Sequence, residues 1–150
     1  MSFLLDTNTI SLFSPYNANA SEGFSKWAEE QDQLDTIYMS VMTVHEIEKG
    51  VRLLEAKGAT AKAAGIRSWL QGLIAGNGDH ILPIDNDVAL ESGRLEAKAI
   101  SAGYGPGAAD AIIAGTASIH NLTIITKNLK HFLPFGVAVK SPDQIAPWRK

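Results

Sequence analysis

Three carboxylates in this chain fall where a strand or helix begins or ends, and they raise the first chemical question. Asp6 follows the apolar run Met1 to Leu5. Glu46 lies within the first turn or so of a helix that follows Thr36-Ile37-Tyr38-Met39-Ser40. Asp110 opens an alanine-rich helix, Ala109 to Ile119, that leads into Leu122-Thr123-Ile124-Ile125-Thr126. If those runs are parallel strands, the junctions fall on one rim of the sheet, where open α/β folds bind ligands. Acids gathered on one rim repel each other, and desolvation raises their pKa values further. A hard divalent cation relieves both effects. Mg²⁺ takes oxygen ligands and keeps several waters, so it needs few protein groups. Held that way it activates water and neutralises phosphoryl oxygens, which is the chemistry of phosphodiester hydrolysis. Asp6 also has a plainer reading, as a helix cap. The two readings differ in whether other acids reach the same place.

The elements that must position these groups alternate between strand and helix. Short apolar runs that stop at polar residues read as buried strands of a parallel sheet. Thr7 or Asn8 is suited to cap a helix through Ile10, Leu12 and Phe13. Pro15 to Ser21 reads as a loop, and Ser21 starts a helix with Phe24, Trp27 and Ala28 at helical spacing. After the Thr36–Ser40 strand, Thr43-Val44-His45-Glu46 fits a capping box, and Val44, Ile47, Val51 and Leu54 form one apolar stripe. Gly58 ends that helix, and Thr60 opens another with Ala64, Trp69, Leu70 and Leu73. Gly76-Asn77-Gly78-Asp79 reads as a turn. Ile81-Leu82-Pro83-Ile84 reads as a strand whose proline places it at an edge or ends it. Asp85-Asn86-Asp87 caps a helix with Val88, Leu95 and Ala99. Gly103 to Gly107 is a loop, and Val137-Ala138-Val139 is a last short strand. The pattern predicts a three-layer α/β/α sandwich with a mainly parallel central sheet, in a single domain over residues 1–150.

Composition sets the limits. A chain of 150 residues with 45% hydrophobic and 19% charged residues is an ordinary globule able to bury a full core. The absence of cysteine excludes disulfides and thiolate metal sites, and it suits a reducing cytoplasm. No apolar run approaches the roughly 20 residues that span a bilayer, so no membrane role is expected. Met1-Ser2-Phe3 lacks the basic start of a signal peptide. With a net charge of −3, any binding to nucleic acid must use a local patch or metal ions.

Four segments together carry a resemblance. Leu4-Leu5-Asp6-Thr7-Asn8, Ser40 to Ile47 with Gly50, Ala109 to Ala114 with Ala117, and Ile125-Thr126-Lys127-Asn128 with Phe132 look like the PIN-domain family. The likeness is greatest to its VapC-type toxin ribonucleases, in the FitB-like subgroup. The resemblance implies an Mg²⁺- or Mn²⁺-dependent ribonuclease acting on RNA, a homodimer, and an antitoxin partner that holds it inactive. It implies that Asp6, Glu46 and Asp110 form the acidic site, with the Thr126 hydroxyl beside it. In the mechanism it suggests, Asp6 and Asp110 hold the cation. Glu46 shares the cation or acts as general base through a bound water. Thr126 and Asn128 hydrogen-bond the carboxylates or the attacking water.

The chain departs from the family at one place. The usual fourth acid would fall at Asn128 or His131, and neither brings negative charge. The competing reading is therefore a PIN-like module that binds RNA or a partner without cutting. Asp85 and Asp143 are alternative fourth acids.

Other constellations are weaker. His45-Glu46 is similar to the start of a zincin helix, but Lys49 stands where the second histidine must be. Gly103-Tyr104-Gly105-Pro106-Gly107 has no preceding strand and the wrong spacing for a dinucleotide fingerprint. Asp6-Thr7-Asn8 breaks the Asp-x-Asp of haloacid-dehalogenase phosphotransferases at Asn8. Lys127 and Lys130 are either a solvated pair or phosphate contacts. The helix pair from Thr43 to Ala75 carries more apolar surface than two peripheral helices need, a groove suited to an antitoxin helix.

Overall fold

The sheet is built from runs too short and too apolar to stand alone. The computed structural model describes residues 1–17 and 19–146. Among them the strands are β1 (Phe3–Leu5), β2 (Ile37–Ser40), β3 (Ile81–Leu82), β4 (Thr123–Ile125) and β5 (Val139–Lys140). All pair in parallel, in the order β3-β2-β1-β4-β5. Pro83 directly follows β3, the edge strand, where its missing N–H costs no ladder bond. The helices are α1 (Thr7–Ile10), α2 (Glu22–Gln33), α3 (Val41–Ala56), α4 (Thr60–Asn77), α5 (Asn86–Ser101), α6 (Ala108–His120), α7 (Leu129–Phe132) and α8 (Pro142–Ile145).

The alternation of the central strands divides the core into two layers. Leu4 of β1 and Ile124 of β4 face one side, against Leu95, Ile113, Ala114 and Phe132 of α5, α6 and α7. Phe3, Leu5 and Ile125 face the other, against Phe24, Ile47 and Leu70 of α2, α3 and α4. Strands covered on both faces need apolar residues at every position, which is why these runs are continuous rather than alternating. The result is the expected three-layer α/β/α arrangement.

The chain fills the sheet from β1 outward to β3, then returns through α5 and α6 to lay β4 on the other side of β1. The strand order therefore reverses between β1 and β4. Open α/β folds bind ligands beyond the carboxyl ends of strands at such a point, and Asp6 and Thr126 are the first residues beyond those ends.

Several local expectations are corrected. The cap of α1 is Asp6 itself, not Thr7 or Asn8, and a 3₁₀ turn, Ser11–Phe13, continues the helix. Thr43-Val44-His45-Glu46 is not a capping box. Helix α3 begins at Val41 because Ser40 caps it, its Oγ accepting from Met42 N–H at 2.9 Å. Helix α4 runs on to Asn77 and absorbs half of the expected turn, and it buries Ala63 rather than Ala64. The last strand sits slightly later than expected, at Val139–Lys140.

Helices α5 and α6 touch closely at Gly115. A Cβ there would lie 2.0 Å from Ser92 Oγ and 2.8 Å from Ser92 N. Backbone cannot step aside as a flexible side chain can, so Gly115→Ala should cost about 1–3 kcal/mol. That lowers the melting temperature by roughly 2–4 °C per kcal/mol for a chain of this size. Gly93→Ala, in the same α5 with nothing within 4 Å of the added Cβ, is the control and should be neutral or slightly stabilising. Thermal denaturation of both variants checks the contact.

Candidate metal centre

Asp6 is only 6% exposed, and both of its oxygens are engaged. Oδ1 accepts from Thr7 N–H at 2.9 Å, the capping bond of α1. Oδ2 accepts from the Thr126 hydroxyl at 2.9 Å. Asp6 thus caps α1 with one oxygen while the other faces Thr126, so the cap does not use up the whole carboxylate. Burial pushes its pKa up to about 6 from an ordinary 3.8. The hydrogen bonds from Thr126 and Thr7 pull against that rise, and the charges of Asp110 and Glu46 add to it.

Thr126 is fully buried at the end of β4. While donating to Asp6, its oxygen accepts from Asn8 Nδ2 at 3.3 Å and from Asn128 N–H at 3.1 Å. Asn8 in turn accepts from Lys127 N–H at 3.1 Å through Oδ1. The side chain joining the two strand ends is therefore Asn8. Asn128 contributes its backbone N–H, and its exposed side chain bonds no carboxylate among the described residues.

Glu46 reaches the same place from α3. Because Ser40 starts that helix at Val41, Thr43 and Glu46 fall three residues apart on one face. Thr7 Oγ1 donates to Glu46 Oε1 at 2.7 Å and lies 3.0 Å from Thr43 Oγ1. The single Thr7 proton is given to Glu46, so the buried Thr43 must donate to Thr7. One Glu46 oxygen is fixed and the other is free.

Asp110 stands in the first turn of α6, its side chain 30% exposed. Burial raises its pKa, the nearby His131 opposes the rise, and Glu46 adds to it. His131 Nδ1 lies 3.5 Å from Asp110 Oδ2. The structure thus brings Asp6, Glu46, Asp110 and Thr126 to one rim. Asp85 is occupied in capping α5, where Oδ1 accepts from Val88 N–H at 2.9 Å, and Asp143 lies in the first turn of α8.

The sequence reading gave no site role to Thr7, Thr43 and Asn8. The three-residue spacing of Thr43 and Glu46 was the available signal for one of them. Placing the helix start at Thr43 instead of Val41 concealed it.

The three acids line the rim without closing into a cage. Among the described residues no three His, Asp or Glu side chains enclose an ion position. The donor set nevertheless fits a hard cation: three carboxylates, with Asp110 and Glu46 raising the pKa of Asp6, Glu46 raising that of Asp110, and Asp6 held in a poorly solvated place. Mg²⁺, which retains several of its own waters, suits such an open set.

Asp6 also gives the metal-free protein a pH dependence. Its folded pKa lies above its unfolded value, so it costs nothing below about pH 4. As pH rises through about 6, only the folded state must carry a buried charge, and stability falls. The loss is on the order of 2–3 kcal/mol and should disappear in Asp6→Asn. Melting curves in chelator between pH 4.5 and 7.5 check this. A wild type no more pH-sensitive than the variant contradicts it.

Acids gathered beside the switch point of a parallel α/β/α sheet stand where open α/β folds bind their ligands. The chain belongs to the PIN-domain family, whose model matches residues 3–132. It is similar to Toxin FitB of Neisseria gonorrhoeae (strain ATCC 700825 / FA 1090), with 34% identity over 140 residues, 93% of this chain and 96% of the relative. It is also similar to VapC ribonuclease Y4jK of Sinorhizobium fredii (strain NBRC 101917 / NGR234), with 30% identity over 146 residues, 97% of this chain and 96% of the relative. Among solved structures it resembles the crystal structure of FitAcB from Neisseria gonorrhoeae, at a TM-score of 0.77 and 34% identity, covering 93% of this chain and 97% of that one.

Proposed function

We propose that this chain is the toxin of a toxin–antitoxin module, an Mg²⁺- or Mn²⁺-dependent endoribonuclease working in the cytoplasm. The observation that carries the reading is the approach of Asp6, Glu46 and Asp110 to one another beyond the carboxyl ends of β1 and β4. Asp6 and Asp110 would hold the cation, with Glu46 sharing it. When bound, the cation supplies an activated water and charge neutralisation on the phosphoryl oxygens. The chain's own residues do the rest. Thr126 fixes Asp6, and Asn8 fixes Thr126. Thr7 holds one Glu46 oxygen and leaves the other free to orient the attacking water or take its proton. Lys127 and Lys130 are exposed beside the rim and are placed to meet flanking phosphates.

The antitoxin reading has its own support. A cavity of about 480 Å³ extends from Thr7 and Glu46 between α3 and α4, lined by Val51, Leu54, Ile66 and Trp69. A helix laid in that groove, whose wall also carries Ser11, Ser14, Asn17 and Lys62, would end at the acids, where a basic side chain could fill the place of the cation. The homodimer has exposed apolar side chains to use, among them Leu90, Ile100 and Leu133.

Induced expression in a bacterial host tests the reading. The chain alone should arrest growth, and Asp110→Asn, at matched protein level, should not. Equal arrest by both forms would detach toxicity from the acids. The non-cutting alternative is favoured by the lack of a fourth acid at Asn128 and His131, and it predicts that Asp110→Asn changes nothing.

A further inference from the structure

One side chain beside Asp110 has no part in holding or orienting the three acids. His131 is fixed from both sides. Its backbone N–H donates to Asn128 O at 3.0 Å. The next residue, Phe132, is fully buried and packs with Phe135 into the α5–α6 layer. The imidazole itself is exposed, and with Asp110, Tyr104 and Lys130 it lines a cavity of about 280 Å³ open to solvent.

We propose that His131 is a ligand of the cation held by Asp110, and that it turns the site away from Mg²⁺ toward a first-row transition ion. The proposal rests on the reading of Asp110 as a metal ligand. Two ligands on neighbouring corners of an octahedron with bonds of about 2.1 Å stand roughly 3 Å apart. His131 Nδ1 and Asp110 Oδ2 are 3.5 Å apart. The proposal asks the exposed ring to rotate through the small remaining distance. Mg²⁺ favours carboxylate, carbonyl and water oxygens, whereas a site with an imidazole nitrogen binds first-row ions with affinity rising from Mn²⁺ through Fe²⁺ to Ni²⁺. A carboxylate at this position would add charge and favour Mg²⁺. An imidazole adds a nitrogen donor and no charge. His45 is exposed on α3, His80 stacks on Tyr38 at 4.4 Å between ring centroids, and His120 lies at the far end of α6, so none of them replaces it.

The test uses the untagged full chain freed of any partner, with Mn²⁺ as probe. Pulsed electron paramagnetic resonance reads whether a nitrogen is bonded to the ion, and calorimetry reads Mn²⁺ and Mg²⁺ affinities. Wild type should show nitrogen coupling. His131→Ala should lose it while still folding, and should bind Mn²⁺ on the order of ten- to a hundredfold more weakly, with a smaller change for Mg²⁺. His131→Asp should recover affinity with the preference reversed toward Mg²⁺. Bound Mn²⁺ without nitrogen coupling in wild type, or coupling that survives in His131→Ala, overturns the proposal and leaves the acids as a metal site. Failure of wild type to bind Mn²⁺ overturns this proposal, and failure to bind either Mn²⁺ or Mg²⁺ overturns the nuclease reading as well.

Discussion

Asp6→Asn should stabilise the metal-free protein at pH 7.5 and, in the same variant, remove RNA cleavage. The two effects have one cause. With a pKa of about 6, Asp6 is charged at that pH in a place that disfavours charge. Asparagine has the same shape, and its amide oxygen can keep the capping bond from Thr7. Neutralisation should return on the order of 2 kcal/mol, while the amide nitrogen now facing the Thr126 hydroxyl deprives it of its acceptor and offsets about 1 kcal/mol, leaving a small net rise in melting temperature. The cation loses its most buried carboxylate, and with it several kcal/mol of transition-state stabilisation, so cleavage should fall on the order of 10³-fold. In wild type, cation at a hundredfold excess over its dissociation constant should add about 2.7 kcal/mol of stability, and the variant should lose most of that gain. A variant less stable than wild type in chelator, yet still stabilised by Mn²⁺, would contradict the electrostatic account.

Thr126→Val should be costly in a different way. One hydroxyl serves three partners: it donates to Asp6 Oδ2 and accepts from Asn8 Nδ2 and Asn128 N–H. Valine keeps the shape and deletes all three bonds. Leaving buried polar groups unpaired costs about 1–3 kcal/mol each, and more for a charged one. A loss of several degrees in melting temperature follows, and Asp6 should titrate higher still without its bond. Metal affinity and cleavage should fall on the order of ten- to a hundredfold, as for other residues that orient a ligand. Thr126→Ser retains the hydroxyl and should behave nearly as wild type. If valine and serine variants lose the same activity, the hydroxyl network is not what holds Asp6.

The architecture was legible because buried parallel strands leave a plain signal. Leu4 and Ile124 face one core and Phe3, Leu5 and Ile125 the other, so those runs had to be apolar throughout. The placing of Asp6 and Asp110 was legible because each stands at the end of an element, whereas Glu46 lies in the second turn of α3 and reaches the rim only through its helix face. Hydrogen-bond direction was not legible. Ser40 and Thr43 are both good caps in sequence, and only the length of β2 decides that Ser40 takes the role. Asn8 and Asn128 offer the same amide, but α1 turns Asn8 toward Thr126 while the start of α7 leaves the Asn128 side chain in solvent. Nor could sequence spacing place His131 beside Asp110, because that pairing depends on how α7 packs through Phe132 against α6.

The most direct test of the central claim is cleavage of structured RNA by freshly purified protein with any antitoxin removed. The account predicts cleavage in millimolar Mg²⁺ or Mn²⁺, none in chelator, recovery when the cation is restored, and none at any cation concentration with Asp110→Asn. Cleavage that persists in chelator would contradict a metal-dependent acidic site. RNA binding without cleavage, under every cation tried, would contradict the nuclease and favour a module that only binds.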